Sequence, residues 1–173
     1  MNSVRAGADT VNVSLDERGG LLEFSVEDNG CGMTEEQLSR LTDPFFTTRK
    51  TRGVGLGVPF LKMLAEQTGG SLTVTSKTVD ESPEDHGTSL AASFHSDHID
   101  FIPMGNMTDT FLTLIQGYPD IDFTFTDRKP GGEVRLSCRE LKEILGADVS
   151  LSEPEVLNWI RGYLSEAYEE VNK

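Results

Sequence analysis

The 173-residue sequence has few cysteines, few basic residues and no long apolar run. Its two cysteines, Cys31 and Cys138, stand far apart without metal-ligand spacing, so we expect free thiols in a reducing, cytoplasmic compartment. We expect no membrane insertion, because no apolar stretch approaches membrane-spanning length and no signal-peptide pattern opens the chain. A net charge of −14 argues against a nucleic-acid partner, since phosphate contacts need basic patches.

Some of the few basic residues do cluster, at Arg49, Lys50 and Arg52. The segment around them is polar and rich in glycine, which is typical of a loop. A basic loop in an acidic chain suits an anionic ligand, and a solvated loop explains it nearly as well.

The stretch from residue 28 to 57 carries the most specific pattern. It contains Asp-Asn-Gly-Cys-Gly-Met at 28–33, Asp-Pro-Phe-Phe-Thr-Thr-Arg-Lys at 43–50 and Arg-Gly-Val-Gly-Leu-Gly at 52–57. A predicted strand from Leu21 to Val26 delivers Asp28 into the first glycine turn, and the last glycine opens a predicted helix at residue 58. A carboxylate at one turn and a helix N-terminus at the other suit a nucleotide, because amides and the helix dipole attract phosphates.

These residues resemble the ATP-binding core of the histidine-kinase-like (GHKL) superfamily, which also includes type II topoisomerases, Hsp90 and MutL. Residues 28–32 resemble its first glycine box, Phe45-Phe46 lies in what resembles the kinase F box, and residues 53–57 resemble the second glycine box. Gly87-Thr88-Ser89 resembles the late Gly-Thr pair on a core strand. The resemblance covers about residues 2–94, and small bacterial ATP-binding proteins of the anti-sigma and sensor-kinase type share it.

The resemblance implies a site for ATP or ADP with Mg2+. It implies that Asp28 accepts a hydrogen bond from the adenine amine, that Thr88 lies near it and that Asn2 ligates magnesium. The alternative for Asp28, from the residues alone, is an ordinary turn aspartate that ends a strand, as is common for Asp-Asn-Gly. The other nucleotide-binding residues that the resemblance implies are Gly30, Gly32, Met33, Phe46, Lys50, Arg52, Gly53, Gly55, Leu56 and Gly57.

The opening of the chain matches only part of the family pattern. Residues 2–8, Asn-Ser-Val-Arg-Ala-Gly-Ala, resemble the second half of the N box, without the acidic residue four positions earlier. We therefore expect an N-terminally truncated domain that lacks its first helix. Two functions stay open: a protein kinase or ATPase that acts on a partner protein, or a non-catalytic regulatory interaction module with a degenerate nucleotide site.

The expected fold is α+β, a two-layer sandwich in which helices cover one face of a mixed sheet. Residues 1–95 are predicted to form the ATP-binding domain and residues 96–173 a small α+β extension. In the first part, the patterns predict a hairpin of strands at 11–15 and 21–26, a helix that Thr34 begins, a helix at 58–68 that Gly69-Gly70 ends, and strands at 71–76 and 88–94.

In the second part, the patterns predict a helix at 108–116, strands at 121–126 and 133–138, and a helix at 139–145. A last helix is predicted from residue 152 to about 171. One face of that helix carries the apolar side chains of Val156, Trp159, Ile160, Tyr163 and Leu164.

Overall fold

The computed structural model describes residues 2–43, 56–146 and 149–172. Within these ranges the chain forms six strands and six helices. In chain order they are α1 (Asn2–Arg5), β1 (Thr10–Arg18), β2 (Leu21–Asp28), α2 (Glu35–Ser39), α3 (Gly57–Gln67), β3 (Leu72–Lys77), β4 (Gly87–His95), α4 (Met107–Gly117), β5 (Asp122–Lys129), β6 (Gly132–Ser137), α5 (Cys138–Leu145) and α6 (Pro154–Val171).

In the described part of the chain, the strands form one mixed sheet in the order β3-β4-β2-β1-β5-β6. β1 and β2 form an antiparallel hairpin in which Val13 lies opposite Val26. A parallel pairing then joins β1 to β5 and places Val13 opposite Phe125. This mixed sheet confirms the α+β fold class. The two strands that follow residue 95 extend the sheet beside β1, while the division of the chain into two domains at that residue stays a prediction.

Successive side chains of a strand point to opposite faces of a sheet. Since apolar and polar residues alternate along these strands, one face of the sheet is apolar. On β1, Val11 and Leu15 are buried, whereas Asn12 between them is exposed. Phe123 and Phe125 of β5 are buried on the same face as Val11. The opposite face carries polar side chains, including those of Asn12, Ser14, Glu23 and Ser25.

Helices α3, α4 and α6 cover the apolar face. Phe111 of α4 packs on Phe125 of β5 with ring centroids 3.8 Å apart. Ala65 of α3 and both Ile160 and Leu164 of α6 have no exposed surface. Burial of a large apolar side chain stabilises a fold by about 1.5–3 kcal/mol, so the contact between this helical layer and the sheet contributes strongly to stability. The predicted sandwich of one sheet and one helical layer is confirmed.

The buried face of α6 is narrower than predicted. Val156, Ile160 and Leu164, spaced four residues apart, are buried against the sheet layer. Trp159 is 57% exposed and Tyr163 is 41% exposed, and their rings stack on each other at 5.8 Å. The prediction that these two aromatic side chains share the apolar face is wrong, because Val156, Ile160 and Leu164 alone make up the buried face of α6.

Local end signals correctly predicted several helix boundaries. Thr34 and Gln37 form a reciprocal capping box at the start of α2, with each side chain bonded to the backbone of the other residue. Gly69, at φ +77°, lies just after the end of α3. Gly7, at φ +74°, turns the chain from α1 into β1.

Candidate nucleotide-binding site

Asp28, the last residue of β2, lies at the centre of the candidate site. Its half-buried carboxylate accepts two hydrogen bonds from this chain. Oδ2 accepts one of 2.6 Å from Ser3 Oγ, and Oδ1 accepts one of 3.0 Å from the backbone N–H of Gly30. Each carboxylate oxygen has two lone pairs, so the group retains capacity for another donor. The two bonds fix the carboxylate at the end of the strand with acceptor sites to spare.

Thr88 lies directly opposite Asp28 in the antiparallel pairing of β2 with β4. Opposite residues of such a pair share a face of the sheet, so the hydroxyl and the carboxylate are neighbours. Thr88 Oγ1 lies 3.0 Å from Ser76 Oγ on β3, which makes Ser76 the hydrogen-bond partner of Thr88. Asp28, Thr88 and Ser76 thus form a polar row across three adjacent strands.

Two glycines let the backbone close tightly around Asp28. Gly32 has φ +71°, and a Cβ atom built there would lie 1.9 Å from the carbonyl oxygen of Lys77. Gly87 has φ +136°, and its Cβ would lie 1.9 Å from the carbonyl oxygen of Asp28. No larger residue fits either position without moving the backbone. Gly32 therefore lets the turn after β2 approach the end of β3, and Gly87 lets the start of β4 approach the end of β2.

The glycine turn is fastened to three parts of the chain. The N–H of Cys31 donates to the carbonyl oxygen of Ala6 at 2.8 Å. His86 Nδ1 lies 2.7 Å from the carbonyl oxygen of Gly30. The N–H of Met33 donates to Ser76 Oγ at 2.9 Å. These bonds tie the turn to the end of α1, to the loop before β4 and to β3, which holds it rigidly beside Asp28.

The side chain of Asn29 bonds the start of β1 and makes no hydrogen bond to the carboxylate of Asp28. Asn29 Oδ1 accepts hydrogen bonds from the N–H groups of Asp9 and Thr10. Asn29 Nδ2 donates to Asp9 Oδ1 at 2.6 Å, and this bond is the main reason that the pKa of Asp9 lies below its ordinary value. Asn29 therefore locks the turn to the start of β1.

The second glycine box is described only at its C-terminal end. Leu56 is 60% exposed, and Gly57 is the first residue of α3. The N-cap residue Leu56 makes no side-chain cap hydrogen bond, and backbone N–H groups at a helix start, here those of Gly57 and Val58, are donors of the kind that bind anions. Five residues of the predicted site lie outside the described residues: Phe46, Lys50, Arg52, Gly53 and Gly55.

Asn2 is exposed in the first turn of α1, next to the serine that holds Asp28. Among the described residues, no group of three or more His, Cys, Asp or Glu side chains is arranged to hold a metal ion. In the same ranges, no helix is long and apolar enough to cross a bilayer. Both cysteines are free, as predicted, with Cys31 exposed and Cys138 buried.

Sequence reasoning did not assign Ser3, Ser76 or His86 to the site. Ser3 was visible in the N-box pattern, where its place beside Asn2 is the signal that it faces the site. Ser76 is an ordinary serine in a strand of polar residues, and only the strand pairing brings its hydroxyl to the glycine turn. His86 closes a polar loop, and no local pattern indicates its contact with Gly30.

Comparison with known families agrees with this geometry. Residues 1–98 match the family model "Histidine kinase-, DNA gyrase B-, and HSP90-like ATPase". The match covers more than half of the chain, and the chain belongs to this family. It is a member of the ATP-binding histidine-kinase-like superfamily.

Two bacterial sensor kinases are similar to part of this chain. The "Probable C4-dicarboxylate sensor kinase" of Bacillus subtilis (strain 168) is 33% identical over 66 residues, which are 38% of this chain and 12% of that protein. "Sensor histidine kinase ZraS" of Escherichia coli (strain K12) is 37% identical over 67 residues, 39% of this chain and 14% of that protein. The chain thus spans only a small fraction of the length of these curated relatives.

Solved structures show the same fold over a longer part of the chain. The "Aquifex aeolicus MutL ATPase domain complexed with ADP" is 15% identical with a TM-score of 0.53, and the match covers 83% of this chain and 64% of that one. The "N terminal domain of a DNA repair protein" is 20% identical with a TM-score of 0.50 and covers 84% of this chain and 54% of that one. At these identities the likeness concerns the fold alone.

Proposed function

We propose that this chain binds ATP with the adenine at Asp28 and the phosphates at the N-terminus of α3. The observation that carries the proposal is the half-buried carboxylate of Asp28, which Ser3 and Gly30 hold at the end of β2 with acceptor capacity to spare. The exocyclic amine of adenine is a donor that fits this acceptor. Guanine presents a carbonyl at the same position and would leave the carboxylate unpaired, which predicts selection of ATP over GTP.

The proposed site continues from Asp28 along both glycine boxes. Gly30, Gly32 and Met33 belong to the turn beside the base, and Thr88 lies opposite Asp28. Leu56 and Gly57 lead into α3, whose first backbone N–H groups suit phosphate oxygens in this proposal. Phe46, Lys50, Arg52, Gly53 and Gly55 complete the site in this proposal on the strength of the family pattern alone.

Asn2 fits one ligand position of a magnesium ion. Its exposed side chain offers a carbonyl oxygen, and Mg2+ prefers oxygen ligands and usually keeps several waters beside the phosphates of its substrate. Bound Mg2+ supplies neutralisation of phosphate charge. In this proposal, Asn2 orients the phosphate end of the ligand while Asp28 holds the base, so that the two residues determine the direction of the nucleotide.

Titration calorimetry with ATP, GTP and ADP, each with and without Mg2+, tests this site. We expect Asp28→Asn to weaken ATP binding about 10- to 100-fold, because the amide places a donor opposite the adenine amine. Glu27→Gln is the matched control, since it removes the same charge from the neighbouring, exposed residue of β2. Equal affinity of wild type and Asp28→Asn, or equal binding of GTP, would contradict the assignment of Asp28.

We further propose that the bound ATP donates its γ-phosphoryl group to a side chain of a partner protein. Both similar relatives carry the description of a sensor kinase. None of the three histidines of this chain lies on a helix: His86 bonds Gly30, His95 ends β4, and His98 lies in a turn. The acceptor is therefore expected outside these three side chains. Transfer breaks the bond between the γ-phosphorus and ADP and forms one to the acceptor nucleophile.

One observation favours a second function, nucleotide-dependent interaction without catalysis. Helix α1 (Asn-Ser-Val-Arg) carries no carboxylate that could activate a water or an acceptor. Incubation with γ-labelled ATP in a lysate of the source organism, followed by measurement of labelled protein and of released phosphate, distinguishes the two. Label on another protein that depends on Asp28 supports transfer. ATP binding without either product supports the interaction module.

A further inference from the structure

A second cleft lies at the end of the β1–β2 hairpin opposite to Asp28. It has a volume of about 580 Å3, which is within the usual size of small-molecule pockets, about 300–1,000 Å3. It opens between the hairpin, the segment of residues 101–108 and the C-terminal half of α6. Leu22 at this cleft precedes Asp28 by six residues on β2, which is about 20 Å along a strand. The cleft is therefore separate from the candidate nucleotide site.

Much of the wall of this cleft is apolar. Leu15 and Leu22 form the floor and are 2% and 5% exposed. Phe101 packs edge-on against Phe94, with ring centroids 6.4 Å apart, and closes one side. Met104 is 45% exposed and lies at the rim. This surface accommodates a hydrocarbon body, and flexible methionine and leucine side chains adapt to its shape.

A buried carboxylate also lines the cleft. Asp127 is 4% exposed, and its Oδ2 accepts a 2.8 Å hydrogen bond from the hydroxyl of Tyr168 on α6. The other oxygen, Oδ1, has no hydrogen-bond partner within the part of the chain that the structure describes. Buried charged groups are normally paired, because an unpaired charge loses its hydration without compensation. Asp127 is therefore a largely buried carboxylate that retains acceptor capacity at the wall of a ligand-sized cleft.

The charged side chains that line the cleft are Asp127, Glu17 and Lys129, and their net charge is −1 when all three are ionised. Lys129 Nζ lies 3.8 Å from Glu17 Oε2, so these two side chains neutralise each other at the edge. Burial raises the pKa of the Tyr168 hydroxyl, which keeps this side chain neutral. Burial raises the pKa of Asp127 above its ordinary value, and a cation beside this group would favour its ionised form. With Asp127 and Glu17 ionised and Lys129 positive, the balance is one negative charge. An anionic ligand would increase the imbalance, whereas a monocation would remove it.

We propose that this cleft binds a small organic monocation, an ammonium group on an apolar body. The ammonium group donates to Oδ1 of Asp127, and the hydrocarbon part packs against Leu15, Leu22 and Phe101. Tyr168 holds the carboxylate in place through Oδ2 and presents a neutral aromatic ring to the cation. The site uses none of the residues assigned to the nucleotide.

The first test compares three six-carbon probes on the wild-type chain at neutral pH: hexylammonium, 1-hexanol and hexanoate. The methyl groups of isotopically labelled methionines report the location, because Met104 and Met107 line the cleft whereas Met33 and Met63 do not. We expect saturable NMR shifts at Met104 and Met107 with hexylammonium, at an affinity at least about tenfold higher than that of hexanol or hexanoate.

The second test uses Asp127→Asn, which keeps the shape of the side chain and removes its charge. We expect at least about tenfold weaker binding of hexylammonium. Glu23→Gln, which removes one charge from the opposite face of β2, controls for net charge and should bind as the wild type does. If Asp127→Asn fails to fold, the comparison of the probes on the wild-type chain decides alone. Equal affinity for hexanol and hexylammonium, shifts at Met33 or Met63 instead, or no saturation up to about 10 mM would overturn the proposal.

Discussion

Ser3 Oγ donates a 2.6 Å hydrogen bond to Oδ2 of Asp28 and so joins α1 to the end of β2. The two residues are 25 positions apart in the sequence, and β1 with most of β2 lies between them. The bond fixes the orientation of the carboxylate that we assign to adenine. Because Ser3 follows Asn2, the bond also links the proposed adenine acceptor to the residue that we propose as the magnesium ligand.

Removing this hydroxyl should weaken nucleotide binding without unfolding the chain. We expect Ser3→Ala to reduce the affinity for ATP about three- to tenfold, because a free carboxylate must be ordered when adenine binds. Ser14→Ala is the control, since Ser14 bonds Ser25 on the polar face of the same sheet, away from the site. Calorimetry of both variants with ATP checks the prediction, and an unchanged affinity of Ser3→Ala would show that the bond does not position Asp28.

Replacement by alanine should change the stability of the chain very differently at Gly32 of the first glycine box and at Gly57 of the second. At Gly32, φ is +71° and the added Cβ would lie 1.9 Å from the carbonyl oxygen of Lys77, so we expect the free energy of unfolding to fall by about 3 kcal/mol or more. At Gly57, no atom of the described residues lies within 4 Å of the added Cβ, and the first turn of α3 accepts alanine.

Denaturant unfolding of both variants checks this contrast. Gly57→Ala is expected to be as stable as the wild type or slightly more stable, since alanine favours a helix over glycine by about 1 kcal/mol. A stable Gly32→Ala variant would mean that the turn rearranges without cost. A strongly destabilised Gly57→Ala variant would mean that the start of α3 is packed against other parts of the chain.

Most helices and strands, and the Asp28 end of the candidate site, could be predicted from the sequence, because their signals are local. Thr34 and Gln37 stand three residues apart and form the capping box of α2. Asp28 stands in a glycine-rich hexapeptide directly after an apolar strand. Such patterns depend on residues that are neighbours along the chain, and the structure places Asp28 at the end of β2 as they indicate.

The remaining features depend on pairing between distant strands. The parallel alignment of β1 with β5 joins Val13 to Phe125, more than a hundred residues later, and no local pattern specifies that alignment. Ser76 reaches Met33 only because β3 pairs with β4 in one register. Likewise, Trp159 and Tyr163 have the spacing of buried residues. Only the packing of α6 in the structure shows that Ile160 and Leu164 are buried instead.

The two thiols should differ in reactivity. Cys31 is exposed, whereas Cys138 is 1% exposed and burial raises the pKa of its thiol to about 11. Because the thiolate is the reactive form, we expect a disulfide reagent at pH 8 to modify Cys31 alone in the folded chain and both cysteines in denaturant. Cys31→Ser should leave no rapidly reacting thiol, and rapid modification of that variant would contradict the burial of Cys138.

The raised pKa of Cys138 also predicts the direction of a pH effect on stability. The thiol ionises near pH 9.0 in the unfolded chain and near pH 11 in the folded chain. Between these values the unfolded state loses the proton first, so the contribution of this group, present below pH 9.0, is lost as the pH rises to about 11. Urea unfolding of wild type and Cys138→Ala across this range should show the smaller decline for the variant, and equal declines would exclude Cys138 as the cause.

Because β5 pairs with β1, a change in the core beyond residue 95 should destabilise the whole sheet. Phe125 is 1% exposed and packs on Phe111, so we expect Phe125→Ala to lower the free energy of unfolding by about 3–5 kcal/mol. Ile144→Ala, at a side chain that is 79% exposed, should change it by less than about 0.5 kcal/mol.

Two probes distinguish one cooperative unit from two. Fluorescence of Trp159, the single tryptophan, reports on α6, and the methyl NMR signal of Met63 reports on α3. Coincident midpoints that shift together in Phe125→Ala are expected, because the β1–β5 pairing joins the two parts in one sheet. If the Met63 transition kept its wild-type midpoint while that of Trp159 moved, residues 1–95 would fold independently and the predicted boundary at residue 95 would separate two domains.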